Sequence, residues 1–557
     1  MFRRWHYNQR RNFWCVARMV IRVLRPASCF VLLGSLTIGG TVPITLAQAP
    51  QDLELQIGII QRFGDKGSKD KLTLQALPGD QLTIKVPANE GKVQTLTANT
   101  LTLEIALQPL PKPRVEEKVI FSTHRSFETA EEQALEWRRR GIDVEIAQPD
   151  RWQVWAKRSV YKTPTVRRML LQNLQAQGIQ TAQIETQTLQ EVPRATFVLG
   201  GLKYTRDRIE ISSGKGMIQV DRDKDDAPNR TFAGSLKLQP NAYGTYSLVN
   251  LVNLETYLRG VVPYEIGTGA PKAAMEAQAI LARTYVLRNL RRFGIDNYQL
   301  CATTQCQVYF GLNGVTTATD QAIAATRGLV LTYKNELVDA LYSSTSGGVT
   351  APFHEVWRGT ERPYLVGKVD SVNGVWNLME RPLADENNLR EFLKLTKGFN
   401  ESEESGYFRW KVEASLEKVT QDLQKYLKSI RHPLAGFKTI KDMQVVERSR
   451  VGRVMKMAVQ TDLGFVVLEK DDVLLAFESP NSMLFYFDPI FEKPRKLKGY
   501  TFVGGGLGHA VGLSQYGSYH LGKQGYGYDR ILGFYFPGTQ IQALNSSIAF
   551  YREPAKP

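Results

Sequence analysis

The chain has 557 residues, 43% of them hydrophobic and 10% aromatic, and a formal charge of +16. That is long enough for several domains, and its composition is that of a folded protein, so disorder is not the default reading. Four cysteines exclude a disulfide-stapled scaffold. The excess of Lys and Arg has no nucleic-acid motif beside it, so an anionic polymer or a lipid headgroup outside the cell is the partner class that the charge suggests.

The first 49 residues contain seven arginines and no acid, then an apolar run at 29–46, then Ala47-Gln48-Ala49. Basic, apolar and small-residue segments in that order predict a secretory signal peptide cut after Ala49. The apolar run is short for a bilayer span and carries Gly, Ser, Thr and Pro43. The expectation is therefore a protein secreted to the periplasm or cell wall, with no transmembrane helix after cleavage. Losing the leader lowers the formal charge to +9 and leaves Cys301 and Cys306 as the remaining cysteines.

Residues 50–110 read as a strand-rich N-terminal segment, with Leu53, Leu55 and Ile57 alternating with polar residues, and Leu72, Leu74, Leu82 and Ile84 doing the same. Pro109, Pro111 and Pro113 then read as a stiff linker. Beyond them is a repeat with a period of about 36 residues: strand 119–122, helix 129–140 and strand 142–146, then strand 152–156, helix 164–177 and strand 179–184. Gly141 and Gly178 stop the two helices. Two βαβ units predict a ferredoxin-like module at about 115–190. The fold class expected for the whole chain is α+β and multi-domain.

Strand patterns resume near Thr196. The acidic run from Asp221 to Asp226 lacks the Gly and Glu of a calcium loop, since its sixth position is Asp226 and its twelfth Phe232, so a solvated hairpin loop is the reading there. Residues 251–288 centre on Glu265, the one acid or base between Arg259 and Lys272. Its neighbours Val261, Val262, Pro263, Tyr264 and Ile266 suggest burial, which disfavours the charged carboxylate and would prepare a general acid. A solvated charge on a turn fits the same residues. Pro271 predicts the first turn of a helix rich in alanine, which either lets another backbone approach or reflects helix propensity alone. A helix near 320–326, strands at 329–333 and 337–342 and a loop at 343–348 follow. Residues 366–499 read as a charged, peripheral insertion, and 500–545 as the end of the core.

Three segments carry a family resemblance: YLRGVVPYEIG with AQAILARTYVLR (257–288), CATTQCQVYFG (301–311) and GHAVGLSQYGSYHLGKQGYGYDRILGFYFPGT (508–539). In this order they resemble the SpoIID/LytB family of peptidoglycan-acting proteins. The resemblance implies a SpoIID-like catalytic core at 196–365 completed by 500–545. It also implies lytic transglycosylase chemistry on glycan strands lacking stem peptides, with Glu265 as the acid. Arg283, His509, Ser514, Gln515 and Tyr516 would line the cleft and bind substrate. The module at 115–190 is similar to the SPOR fold, which implies glycan binding.

A hydrolase usually needs two carboxylates, whereas a transglycosylase can use one, because the sugar's own 6-hydroxyl attacks. The matching motifs bring no second carboxylate, although Asp320, Asp339 and Glu355 could approach in space. Some family members hold zinc near the middle motif. Here Cys301 and Cys306 are weak candidates with no nearby histidine, so the expectation is no cofactor, with a disulfide as the competing use of the pair. Two other readings stay open: Cys306 or Ser346 as a nucleophile with His509 as its base, and a non-catalytic glycan-binding enhancer of a cell-wall amidase.

Overall fold

The computed structural model describes residues 53–88, 91–222, 229–401, 406–492 and 495–553, so the expected leader lies outside the described residues. Strand makes up 37% and helix 25%, in several mostly antiparallel sheets, an α+β architecture.

The alternation of apolar and polar residues produces β1 (Glu54–Phe63), β2 (Lys71–Ala76), β3 (Leu82–Pro87) and β4 (Val93–Ala98), with Leu55, Ile57, Leu72, Leu74, Leu82 and Ile84 buried. A long strand β5 (Thr100–His124) leads into α1 (Phe127–Arg139), β6 (Val144–Ala147), β7 (Trp152–Ala156), α2 (Pro164–Ala176) and β8 (Gln183–Leu199). Ser126 and Thr163 cap the two helices by accepting the N–H groups of Thr129 and Val166. Then come β9 (Leu202–Thr205), β10 (Ile209–Ser213), β11 (Met217–Asp221), β12 (Arg230–Ala233), β13 (Ser235–Pro240) and β14 (Tyr246–Asn253). β11 and β12 pair antiparallel on either side of the acidic run, part of which lies outside the described residues.

The N-terminal segment is not separate from the core. β1 pairs with β14, β3 with β10 and β2 with β11, so strands from both sides of the repeat share two sheets. The three prolines are not a linker either. They lie inside β5, which pairs with β8 on both sides of them, and the register jumps from Pro109↔Glu191 to Arg114↔Leu189. Proline lacks the N–H that a ladder needs, so the stretch is accommodated as a bulge without ending the strand.

Within the repeat the sheet runs β6-β7-β5-β8, all antiparallel, and is continuous with the eight-stranded sheet through β5 and β2. Its contacts with the rest of the chain are extensive. Trp155 meets Tyr243, while Glu128 and Glu131 on α1 pair with Arg292 and Arg291. Gln148 and Trp152 both donate to the Gln305 side chain, at 2.9 and 3.1 Å. The segment is thus anchored to the core, contrary to the expectation of a separate module.

After β14 the chain forms α3 (Leu254–Arg259), α4 (Val262–Glu265) and α5 (Lys272–Arg288). Helix α5 is buried on all sides from Ala274 to Arg288, with the polar side chains of Glu276, Gln278, Arg283 and Arg288 enclosed among its apolar ones. β15 (Leu300–Cys301), α6 (Thr317–Ala325), β16 (Leu329–Tyr333), β17 (Glu336–Leu337), β18 (Tyr342–Ser343) and α7 (Phe353–Val356) follow.

The expected insertion contains α8 (Glu386–Lys394), β19 (Trp410–Ser415), α9 (Leu416–Ser429), β20 (Ile440–Arg448), β21 (Val454–Thr461), β22 (Phe465–Glu469), α10 (Asp472–Ala476), β23 (Phe485–Glu492) and β24 (Lys496–Gly504). It has its own apolar cores and also sends Asp370 and Glu401 into the interior beneath residues 343–348, so it is not peripheral. The chain closes with β25 (Leu513–Ser514), α11 (Gln515–Lys523), α12 (Tyr528–Tyr535) and β26 (Gln540–Ala543). Among the described residues no helix is long and apolar enough to cross a membrane.

Trp152 is 2% exposed and lies between the rings of Phe127 and Phe293, at centroid distances of 5.1 and 5.0 Å. Trp152→Ala opens a cavity where the repeat meets the core and is expected to cost about 3–5 kcal/mol. Urea unfolding at unchanged m-value checks this, and a loss below about 1 kcal/mol would show the contact to be loose.

Candidate active site

Glu265 is the last residue of α4, a single turn between the Gly260 bend and the start of α5. The bend depends on glycine: a Cβ at Gly260 would lie 2.4 Å from the Tyr309 ring. Gly267 follows with φ +81°, a conformation that side chains disfavour, and turns the chain back toward Pro271 and α5. At the start of α5, Gly522 of α11 packs so closely that a Cβ there would meet Pro271 at 2.8 Å. That is the close backbone approach that the small residues allow.

Three groups converge on the carboxyl of Glu265. The Val308 N–H donates to Oε1 at 2.5 Å, and the Tyr342 hydroxyl and Gln515 amide add side-chain hydrogen bonds. Gln515 Nε2 also donates to the Glu265 backbone carbonyl at 2.9 Å. Behind Tyr342 is a relay: the Tyr257 hydroxyl donates to Gln307 Oε1 at 3.2 Å, and Gln307 Nε2 donates to the Tyr342 oxygen at 3.1 Å.

Burial raises the Glu265 pKa, and the Val308, Tyr342 and Gln515 hydrogen bonds offset part of that rise, leaving it at about 7. The residue nonetheless keeps a partly exposed side. No carboxylate is among the causes of the shift. Asp320 is held bidentate by Arg259 at 2.9 and 3.0 Å, and Asp339 by Arg288 and Arg362. Glu355 is affected chiefly by burial, then by Ser449 and Arg453. The site therefore offers one carboxyl that is both protonated and ionised near neutral pH, suited to giving a proton and taking one back.

The other expected residues have different placements. His509 accepts the Val511 N–H on Nδ1 at 3.0 Å, hydrogen-bonds the Tyr342 backbone and packs on Trp357. Burial pushes its pKa down to about 4, so it is neutral and one residue removed from Glu265. Tyr516 packs against Tyr519, and its N–H donates to the Ser344 carbonyl.

Ser514 does not line a cleft. It is 1% exposed, caps α11 by accepting the Gly517 N–H, and donates to Glu401. Arg283 is also interior, with 0% exposure. Its Nε and Nη2 grip Glu255 at 2.7 and 2.8 Å, and Nη1 donates to the Leu329 carbonyl. A guanidinium so engaged supports the fold, because a buried charge persists only with its partners satisfied.

Cys301 and Cys306 form a disulfide, with Cα atoms 5.7 Å apart. In that state Cys306 is no nucleophile. Ser346, the other candidate nucleophile, is buried and donates to Asp370. Tyr342, Gln307, Tyr257 and Val308 were not singled out as site residues from the sequence. Gln307 and Val308 lie within the middle motif, whereas Tyr342 had no signal beyond the strand pattern.

Residues 242–333 match the family model described as stage II sporulation protein (SpoIID), and residues 351–512 match a domain of unknown function, DUF8618. The chain is 26% identical over 355 residues to a protein named amidase enhancer from Bacillus subtilis, a match covering 56% of this chain and 47% of that relative. It is also 26% identical over 350 residues to stage II sporulation protein D of the same organism, covering 58% of this chain and 85% of the relative. The chain thus spans about half the length of the amidase enhancer that it matches. The match at 242–333 and these relatives support a place in the SpoIID/LytB family.

Arg283→Ala would leave the buried Glu255 carboxylate without its guanidinium partner, at an expected cost of about 3–5 kcal/mol. Chemical denaturation checks this. A variant that keeps native stability and loses only glycan binding would return Arg283 to the cleft.

Proposed function

We propose that the protein is a peptidoglycan lytic transglycosylase acting on glycan strands that lack stem peptides, outside the cytoplasmic membrane. The observation that carries this reading is the solitary Glu265 carboxyl, buried, with three hydrogen-bond donors and a pKa of about 7. In its acid form it gives its proton to the glycosidic oxygen as the C–O bond breaks. The 6-hydroxyl oxygen of the same sugar bonds to the anomeric carbon and passes its proton to the Glu265 carboxylate. A 1,6-anhydro end results, no water is consumed, and Glu265 regains its starting state. The relay through Tyr342, Gln307 and Tyr257 holds the carboxyl in place through both transfers.

In this reading the strand–helix–strand repeat is a ferredoxin-like, SPOR-like element that helps to hold glycan while docked on the core, and no cofactor takes part. The arginine-rich leader carries the export, and N-terminal sequencing of the exported protein should begin near Pro50. A second reading is favoured by the relative named amidase enhancer: the chain would bind glycan and recruit a cell-wall amidase without cleaving the strand.

Mass analysis of products from purified peptide-free glycan strands separates the two. The transglycosylase reading expects anhydro ends, and a rate that falls as pH rises through about 7 because the proton donor is lost. Glu265→Gln is expected to slow the reaction by about two to four orders of magnitude. Its stability should gain on the wild type as pH rises: the folded pKa is raised, so the wild type's contribution from Glu265 is full below the unfolded value and lost through about pH 7. Reducing ends would mean attack by water, and full activity in Glu265→Gln would leave the amidase-enhancing reading.

A further inference from the structure

Two of the three groups that reach Glu265 come from segments tied together elsewhere. Tyr342 lies at the start of the 343–348 loop, and Gln515 is the first residue of α11, next to the Ser514 cap. β18 and β25 pair for two residues, Tyr342↔Leu513 and Ser343↔Ser514. Both segments then end on Glu401.

Glu401 is 3% exposed. Its carboxylate accepts the N–H groups of Ser346, Gly347 and Gly348 at 2.5, 2.9 and 3.1 Å, the Thr345 hydroxyl at 2.6 Å and the Ser514 hydroxyl. Asp370 lies beside it and accepts from the Tyr535 hydroxyl and Asn400 amide at 2.9 Å each, and from the Ser346 hydroxyl at 3.1 Å. Burial, then the Glu401 charge, raises the Asp370 pKa. Arg453 completes the surroundings. It donates to the Ser346 and Val349 carbonyls, and the Glu401 charge acts on it. The two glycines permit this arrangement, with φ +73° and +88° turning consecutive N–H groups toward one acceptor.

We propose that Glu401 is a positioning residue for Glu265: by gathering the 343–348 loop and the Ser514 cap onto one carboxylate, it fixes Tyr342 and Gln515 where both hydrogen-bond Glu265. It touches neither substrate nor the reacting atoms. Its effect on rate rests on the proposed transglycosylase reading, whereas its effect on Glu265 does not.

The test therefore reads Glu265 in two ways. Urea stability is followed from pH 5 to 8.5 for wild type, Glu401→Gln, Glu401→Asp and Ser514→Ala, each with and without Glu265→Gln. The pH-dependent difference within each pair reports the Glu265 proton equilibrium without any assay of activity. Tyr257, Tyr285 and Tyr342 around Glu265 titrate far above this window and His509 near 4, while the Asp370 contribution cancels within a pair.

The Tyr342 and Gln515 bonds favour ionised Glu265. Loosening them in Glu401→Gln is expected to move its titration upward by about one pH unit, with a smaller move in Ser514→Ala and partial recovery in Glu401→Asp. Glycan cleavage at pH 6 is expected to fall roughly ten- to hundredfold. An unmoved titration in a folded Glu401→Gln overturns the proposal. If that variant fails to fold, an unmoved titration in Ser514→Ala overturns it. A titration that moves while no cleavage occurs even in the wild type upholds the positioning role and removes the transglycosylase reading.

Discussion

The structure depends on a contest at one carboxyl group. Enclosing Glu265 raises the free energy of its ionised form, while the Val308 N–H, the Tyr342 hydroxyl and the Gln515 amide lower it, and burial outweighs them. Without these donors the group would be an inert buried acid; without burial it would be an ordinary surface carboxylate. Each donor arrives on a different part of the chain, and much of the fold serves to bring those parts together. The Cys301–Cys306 loop presents Val308, the 343–348 loop begins at Tyr342, and α11 begins at Gln515.

The apolar turn that holds Glu265 was legible in the sequence, since Val261, Val262, Pro263 and Ile266 are buried as the pattern expects. The repeat was legible for a similar reason, since each helix carries its own cap and each strand its own alternation. Reading failed where the deciding contact is distant in sequence. Arg283 looks like a cleft residue until Glu255 and the Leu329 carbonyl take its donors, and Ser514 until Glu401 takes its hydroxyl. The prolines at 109–113 look like a linker until β8 pairs on both sides of them. The residues at 50–110 look like a preceding segment until β10, β11 and β14 supply their partners. In each case local composition was read correctly, and the partner lay a few dozen to more than a hundred residues away.

The stretch at 351–512 changes the picture of the core most. Its model match carries no stated role, and its charge content suggested decoration. Yet Asp370, Asn400 and Glu401 form a polar knot under the loop that carries Tyr342. Such a knot is costly unless satisfied, and both of its carboxyl groups accept hydrogen bonds, Glu401 from the loop and Asp370 from Asn400 and Tyr535. The SpoIID match at 242–333 and relatives at 26% identity support a cell-wall related role. What separates the proposed acid from a scaffold is the local environment of Glu265, where Val308, Tyr342 and Gln515 meet one carboxyl.

The most direct test of the account is the titration of Glu265 itself in the folded wild type, by carboxyl-region infrared difference spectra or carbon NMR against Glu265→Gln. The account predicts a midpoint near pH 7. A midpoint near the ordinary carboxylate value of about 4.3 would mean that the group is hydrated and charged, and would contradict its role as a proton donor.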